Sequence, residues 1–311
     1  MKRSFLSKKV VVIPLALFCC MLWGSAFPCI KLGYGYSQIV SDDTVSQILY
    51  AGIRFTLAGI FAFVIGSVML KRTLIPSKKA LPKVIKLSLF QTILQYSFFY
   101  IGLARTTGIK SSVITASNVF LSILVASLIF KIEKLTLRKI IGCIIGFSGA
   151  LLINIRGISS GFSITGEGFV FLSALSYAFS AALVKRYSIS EEPVMLSAWQ
   201  FIAGGSIMSI IGFISGGRLA ALNTSGILMI IYLAFVSAAA FSIWGTLLKH
   251  NPVSTVSVFG FMNPVFGVIL SFLILSEKSE ASVFNVIAAL ILVTAGIITI
   301  NFSPHKNNFK L

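Results

Sequence analysis

The chain has 311 residues, 57% of them hydrophobic, a mean hydropathy of +0.97, and a formal net charge of +18 from 26 Lys+Arg against 8 Asp+Glu. That apolar excess is too large for a soluble core and fits a bilayer. The basic excess does not describe a nucleic-acid surface, because lysine and arginine sit in short gaps between apolar runs and not on one water-facing patch.

Apolar runs of about 17 to 25 residues, long enough to cross a hydrocarbon core, predict five spans over 11–32, 47–70, 84–102, 109–130 and 140–155. Five more follow over 168–184, 193–216, 226–248, 253–275 and 282–300. The first run comes after MKRSFLSKK, but its apolar core is longer than that of a secretory signal and no small-x-small cleavage site follows. It is expected to stay attached as the first span. The loops sharing a side with the N-terminus hold 18 Lys+Arg, among them Lys71, Lys79, Lys134 and Lys139, against six on the other side. That bias predicts a multi-pass inner or plasma membrane protein with both termini in the cytoplasm.

The two sets of spans echo one another. Trp23 to Lys31 (WGSAFPCIK) matches Tyr177 to Lys185 (YAFSAALVK) in aromatic-to-lysine spacing, and Arg54-Phe55 in RFTLAGIFAFVIG answers Gln200-Phe201 in QFIAGGSIMSIIG. Tyr100-Ile101-Gly102 is echoed by Trp244-Gly245, Glu133 by Glu277, and GALLIN ending at Asn154 by GIITIN ending at Asn301. Five helices per repeat is an odd number, so the second copy must enter the membrane upside down. The expected fold is therefore an all-α membrane protein of ten transmembrane helices, built as two inverted five-helix repeats over 1–156 and 157–311.

Three segments carry a likeness: MLWGSAFPCIKLGY (Met21 to Tyr34), GIRF (Gly52 to Phe55) and NPVFGVILSFLILSEK (Asn263 to Lys278). With them the chain resembles the drug/metabolite transporter superfamily in its EamA-type ten-helix branch, over nearly its whole length. The resemblance implies two five-helix halves around a central cavity that opens alternately to each side, and export or import of a small metabolite, with export favoured. It also implies a proline early in the fourth span; Pro264 stands 13 residues before Glu277, but the matching place before Glu133 is Phe120.

All eight acidic residues fall in loops or at helix ends, so no carboxylate stands at mid-depth to relay a proton, and His250 and His305 have no partner for hydrolytic or metal chemistry. Cys19, Cys20, Cys29 and Cys143 lie in apolar runs without CxxC spacing and read as buried thiols. An enzyme, a cofactor and a metal are not expected. The expected partners are a small-molecule substrate and the lipid bilayer, and no nucleic acid.

Candidate substrate-binding residues are those that bring aromatic walls and neutral hydrogen bonds into the membrane. Gln91 and Gln95 are four apart on the third span and share a face that must look into the protein; Tyr96 and Tyr100 form a stripe beside it. Trp23, Tyr177 and Trp244 are read as cavity lining, with an interfacial belt as the alternative. Asn118 and Asn263 are a candidate matched pair, although Asn263 equally marks a kink at Pro264. Arg54, the strong charge inside a span, is either a snorkelling or packing arginine or a grip on an anionic substrate group. Pro28 is a candidate hinge. Glu133 and Glu277, each followed by lysine, read as solvated helix-end charges, with a gate latch as the alternative. Gly142, Gly146 and Gly149 form a close-packing face for either the tenth span or a homodimer.

The function expected is a secondary carrier, by export, of a small polar or amphipathic metabolite such as an amino acid. A facilitator or channel-like permease and a non-transporting scaffold are the alternatives.

Overall fold

The computed structural model describes residues 5–40, 42–103, 105–106, 108–153, 162–219, 223–275 and 283–301. The expectations placed on Asn154, Glu277, Glu280 and His305 lie outside the described residues. The described residues are helical and include no strand.

In chain order the helical elements begin with α1 (Lys9–Tyr36), α2 (Thr44–Met69) and α3 (Leu81–Leu103). Next come α4 (Gly108–Leu124, continued by a π-helical turn Val125–Ile129) and α5 (Leu137–Ile153). Then follow α6 (Ile164–Tyr187), α7 (Pro193–Ile214), α8 (Thr224–His250), α9 (Val253–Leu275) and α10 (Val283–Asn301). Eight of these are long and apolar enough to cross a membrane, and the Val113–Ile129 stretch of α4 is a shorter apolar helix. Local chemistry sets the starts. Asp43, Ser163 and Asn223 each accept a backbone N–H three residues on, at 3.0, 3.1 and 2.8 Å, and Pro193 opens α7 at the first helical turn. The helices overrun the predicted apolar cores by a few residues because backbone hydrogen bonding continues past the hydrocarbon.

Glycines fix how the helices meet. Along α2 and α7, Leu49 lies against Gly212, Gly52 against Ser209, Thr56 against Gly205, Gly59 against Ile202, and Gly66 against Val194, an antiparallel register. A Cβ on Gly59 would sit 2.6 Å from the Ala198 carbonyl oxygen, so the two backbones touch. α5 and α10 pair in the same manner through Gly142 with Ile300, Gly146 with Gly296 and Gly149 with Val293. The small-residue face of α5 is thus filled by α10 of the same chain. α1 runs antiparallel to α8 (Cys19 with Ala240, Ser25 with Tyr232, Gly33 with Met229) and parallel to α9 (Cys20 with Phe259, Gly24 with Phe266). In the other half α6 packs on α3 and α4. Outward faces carry exposed Val64, Ile65, Ile210, Phe213, Phe272 and Leu273, side chains suited to lipid.

Four helices depart from regularity among the described residues: α3 is π-helical over Leu89–Leu94, α6 opens with a π-helical turn over Ile164–Gly168, and α4 and α9 differ at matching places. α9 tightens into a 3₁₀ turn at Val258–Phe261 just ahead of Asn263-Pro264, since Pro264 has no N–H to give the carbonyl one turn back. α4, with Phe120 in place of a proline, stays α-helical to Leu124 and widens to π-helical only at its end. α1 remains helical through both Pro14 and Pro28.

Candidate functional site

The side of the bundle that bears the N-terminus is sealed by polar contacts. Glu133 is buried, not solvated as its sequence position implied. It accepts from Ser254 N (3.1 Å) and Ser254 Oγ (3.0 Å) at the start of α9 and pairs with Lys139 at 3.5 Å. Burial pushes its carboxyl above the ordinary glutamate range, against the opposing pull of Lys139 and Ser254. Lys185 Nζ donates to the carbonyls of Lys249 (3.1 Å) and Asn251 (2.9 Å) at the end of α8, while Ser7 Oγ and Asn251 Nδ2 tie the N-terminal turn to the same place. Lys83 with Glu191 (2.6 Å) and Lys249 with Glu192 (3.8 Å) close the rim.

Above this seal lies a narrow crevice with room for one water molecule at most, lined by residues that include Gln91, Tyr177, Ser197, Phe241 and Trp244. Gln91 reaches it because α3 is π-helical over Leu89–Leu94, a wider turn of the kind often found at functional positions. The same turn presents Thr92 Oγ1 to Gln200 Oε1 at 2.5 Å. Gln95, four residues on, is not among the residues that line the crevice. It is half-buried, with its Oε1 lacking a hydrogen-bond partner.

From the crevice a continuous stack of rings runs through the bundle. Trp244 meets Trp23 edge-on (centroids 4.9 Å apart), Trp23 meets Phe241 (5.1 Å), and Phe241 meets Phe201 (5.0 Å). Phe201 lies parallel to Phe55 (5.2 Å, 3° between planes), and Phe55 contacts Tyr96 (4.3 Å). Phe55 and Phe201 are the repeat-equivalent phenylalanines, stacked across the α2–α7 seam. The steps from Trp244 to Phe55 lie within the spacing at which aromatic pairs attract one another, and the Phe55–Tyr96 contact is slightly closer.

Arg54 sits at the far end of the stack, its guanidinium 4.3 Å from the Phe55 ring centroid. It is 3% exposed, so it does not snorkel. Tyr34, Tyr50 and Tyr96 lie within electrostatic reach of it, and Tyr100 within reach of all three tyrosines. Gly33 is the position that lets the Tyr50 hydroxyl press against the backbone of α1.

The structure therefore joins Trp23, Gln91, Tyr177 and Trp244 at one end of the stack and Arg54 and Tyr96 at the other. Asn118 and Asn263 are set apart at the α4–α9 contact, where Asn118 faces the backbone at Gly260. Buried polar atoms without hydrogen-bond partners include Trp23 Nε1, Trp244 Nε1, Gln91 Oε1, Arg54 Nε, Asn263 Oδ1, Tyr34 Oη and Tyr50 Oη, while others, mostly serine hydroxyls, are spread elsewhere among the described residues. Sequence reasoning missed Tyr34, Tyr50, Phe55, Phe201 and Phe241. The repeat did contain a signal for Phe55 and Phe201, as the second member of each matched dipeptide.

The EamA-like transporter family matches this chain twice, over residues 11–155 and 164–302. An "Uncharacterized transporter YvbV" of Bacillus subtilis is 24% identical over 302 residues, covering 92% of this chain and 90% of that one. A "Probable amino-acid metabolite efflux pump" of Escherichia coli is 23% identical, covering 85% of this chain and 87% of that one. One solved crystal structure superposes with a TM-score of 0.76 over 93% of this chain and 97% of its own, at 16% identity, a likeness of fold alone.

Proposed function

The chain belongs to the EamA-like transporter family and is a multi-pass membrane transporter, and from that premise we propose that it is a secondary carrier exporting a small polar or amphipathic metabolite, such as an amino acid, by alternating access. One observation carries the reading: buried polar groups without protein partners flank both ends of the aromatic stack, Gln91 and Trp244 at one end and Arg54, Tyr34 and Tyr50 at the other. In a membrane interior each such group costs about 1–3 kcal/mol unless something bonds to it. A carrier that receives polar molecules on either side of a ring barrier supplies that partner; a scaffold does not.

The moving parts are two inverted five-helix halves, residues 1–156 and 157–311. Three features support this division: the antiparallel registers of α2 with α7 and of α5 with α10, the exchange of α1 on α8 and α9 for α6 on α3 and α4, and the twofold family match. The excess of lysine and arginine on the N-terminal side supports cytoplasmic termini in a plasma membrane. Export rests on the relative named an efflux pump. The described seal on that side is then the closed inner gate.

The test is thermal stabilisation of the detergent-purified protein across amino acids, amines, nucleosides and organic anions, since a ligand bound only by the folded state raises the melting temperature. One class should shift it, and Trp23→Ala or Tyr96→Ala should remove the shift. No shift with any class would favour a scaffold.

A further inference from the structure

Resting on the carrier reading above, we infer that Arg54 and the hydroxyls of Tyr34, Tyr50, Tyr96 and Tyr100 form a subsite for a carboxylate on the transported molecule. A guanidinium stays charged at every working pH, and an isolated buried charge is costly unless it is paired. Arg54 is 3% exposed and makes no hydrogen bond or ion pair with a described residue; its close contact is the face of Phe55.

The described acids that are placed in bonds are engaged elsewhere. Asp43 caps α2, Glu133 binds Ser254 and Lys139, Glu167 binds Thr106 and Ser163, Glu191 binds Lys83, and Glu192 lies by Arg72 and Lys249. What lies near Arg54 is instead a group of phenols: Tyr34 and Tyr50 pack edge-on at 5.4 Å, Tyr96 and Tyr100 are tilted at 6.4 Å, the Tyr50 hydroxyl has no hydrogen-bond partner, and the Tyr34 hydroxyl lies within reach of Tyr100 alone. A guanidinium fork with phenol O–H donors around it matches a carboxylate, which can accept from both nitrogens and a hydroxyl together. An amine entering the same place would meet a like charge.

Among the described residues the other half holds no second copy of this site. At the position equivalent to Arg54 stands Gln200, fully buried, its Oε1 taken by Thr92 and its backbone carbonyl by Ser88. The arrangement therefore fits one anionic group per molecule carried, a monocarboxylate, joined to a body that tolerates aromatic walls.

Three probes of one shape test this: 3-phenylpropionate, 3-phenylpropanamide and 3-phenylpropylamine, titrated against the melting temperature of the purified full chain. The carboxylate should raise it and the other two should not. Arg54→Gln should weaken the carboxylate about tenfold or more, the loss expected when a charged bidentate contact is removed. Should Arg54→Gln fail to fold, the double variant Tyr34→Phe with Tyr50→Phe keeps both rings and should weaken carboxylate binding severalfold while leaving the melting temperature without probe near that of the wild type. Equal shifts by carboxylate and amide, or carboxylate binding unchanged in these variants, would overturn the assignment. If none of the three binds but another class in the wider panel does, the carboxylate subsite falls and the carrier stands; if no class binds, both fall.

Discussion

Single side chains are where burial and charge conflict most openly, and Glu133 shows it on the side away from Arg54. Its carboxyl is raised by burial, so its ionised form is less at home in the folded protein than in the unfolded chain. The stability it contributes is therefore full below its unfolded value of about 4.5 and is lost as pH rises through the higher folded value. Melting temperatures of wild type and Glu133→Gln, measured from pH 4 to 8, should diverge, with the wild type falling relative to the variant as pH rises. A constant difference across that range would mean that Ser254 and Lys139 fully offset the burial. The sequence pointed to a solvated charge here because Ser254, the partner that buries it, is 121 residues away. Trp23, Tyr177 and Trp244 were legible as candidates because they stand inside apolar runs; Tyr177 and Trp244 border the crevice, and Trp23 packs on Trp244. Tyr34 and Tyr50 were not, since tyrosines near the ends of spans also describe an interfacial belt. Tyr50 stands four residues before Arg54 on α2, and it is the ring contact of Tyr34 with Tyr50 that brings in the phenol from α1.

Helices, by contrast, were largely readable. Every predicted apolar run coincides with a helix, with ends displaced by up to four residues among the described residues, because the bilayer dictates length and apolar content directly. Irregular turns were harder: the π-helical stretch that aims Gln91 is stabilised by Thr92 reaching Gln200 on another helix, a contact no local pattern encodes. The absence of a proline at Phe120 did correspond to a difference, for α4 lacks the 3₁₀ turn that α9 has before Pro264. Glycine spacing along α2 gives the most testable consequence at this scale. A Cβ on Gly59 meets both the Ala198 oxygen and the Ile202 nitrogen at 2.6 Å, backbone atoms that cannot turn aside. Gly59→Ala should therefore cost about 1–3 kcal/mol of stability through overpacking, whereas Gly35→Ala, with nothing within 4 Å, should be neutral or slightly stabilising. Equal melting temperatures for the two variants would show that α2 and α7 are not held at this seam.

For the molecule as a whole, the repeat-equivalent helices meet about common seams, α2 on α7 and α5 on α10, and the parallel stacking of Phe55 on Phe201 lies at the first of them. On the proposed alternating-access reading, rocking one half against the other parts those rings, so the aromatic stack is the proposed barrier and the polar contacts around Glu133 and Lys185 the proposed closed gate. Counterflow in proteoliposomes tests that claim most directly. Vesicles containing the purified protein, loaded with an unlabelled compound from the class that stabilises it, should transiently concentrate the labelled compound from outside, and Trp23→Ala should abolish that overshoot without preventing folding. Labelled uptake that only tracks the gradient with no overshoot, or flux no greater than in protein-free vesicles, would contradict a carrier working by alternating access.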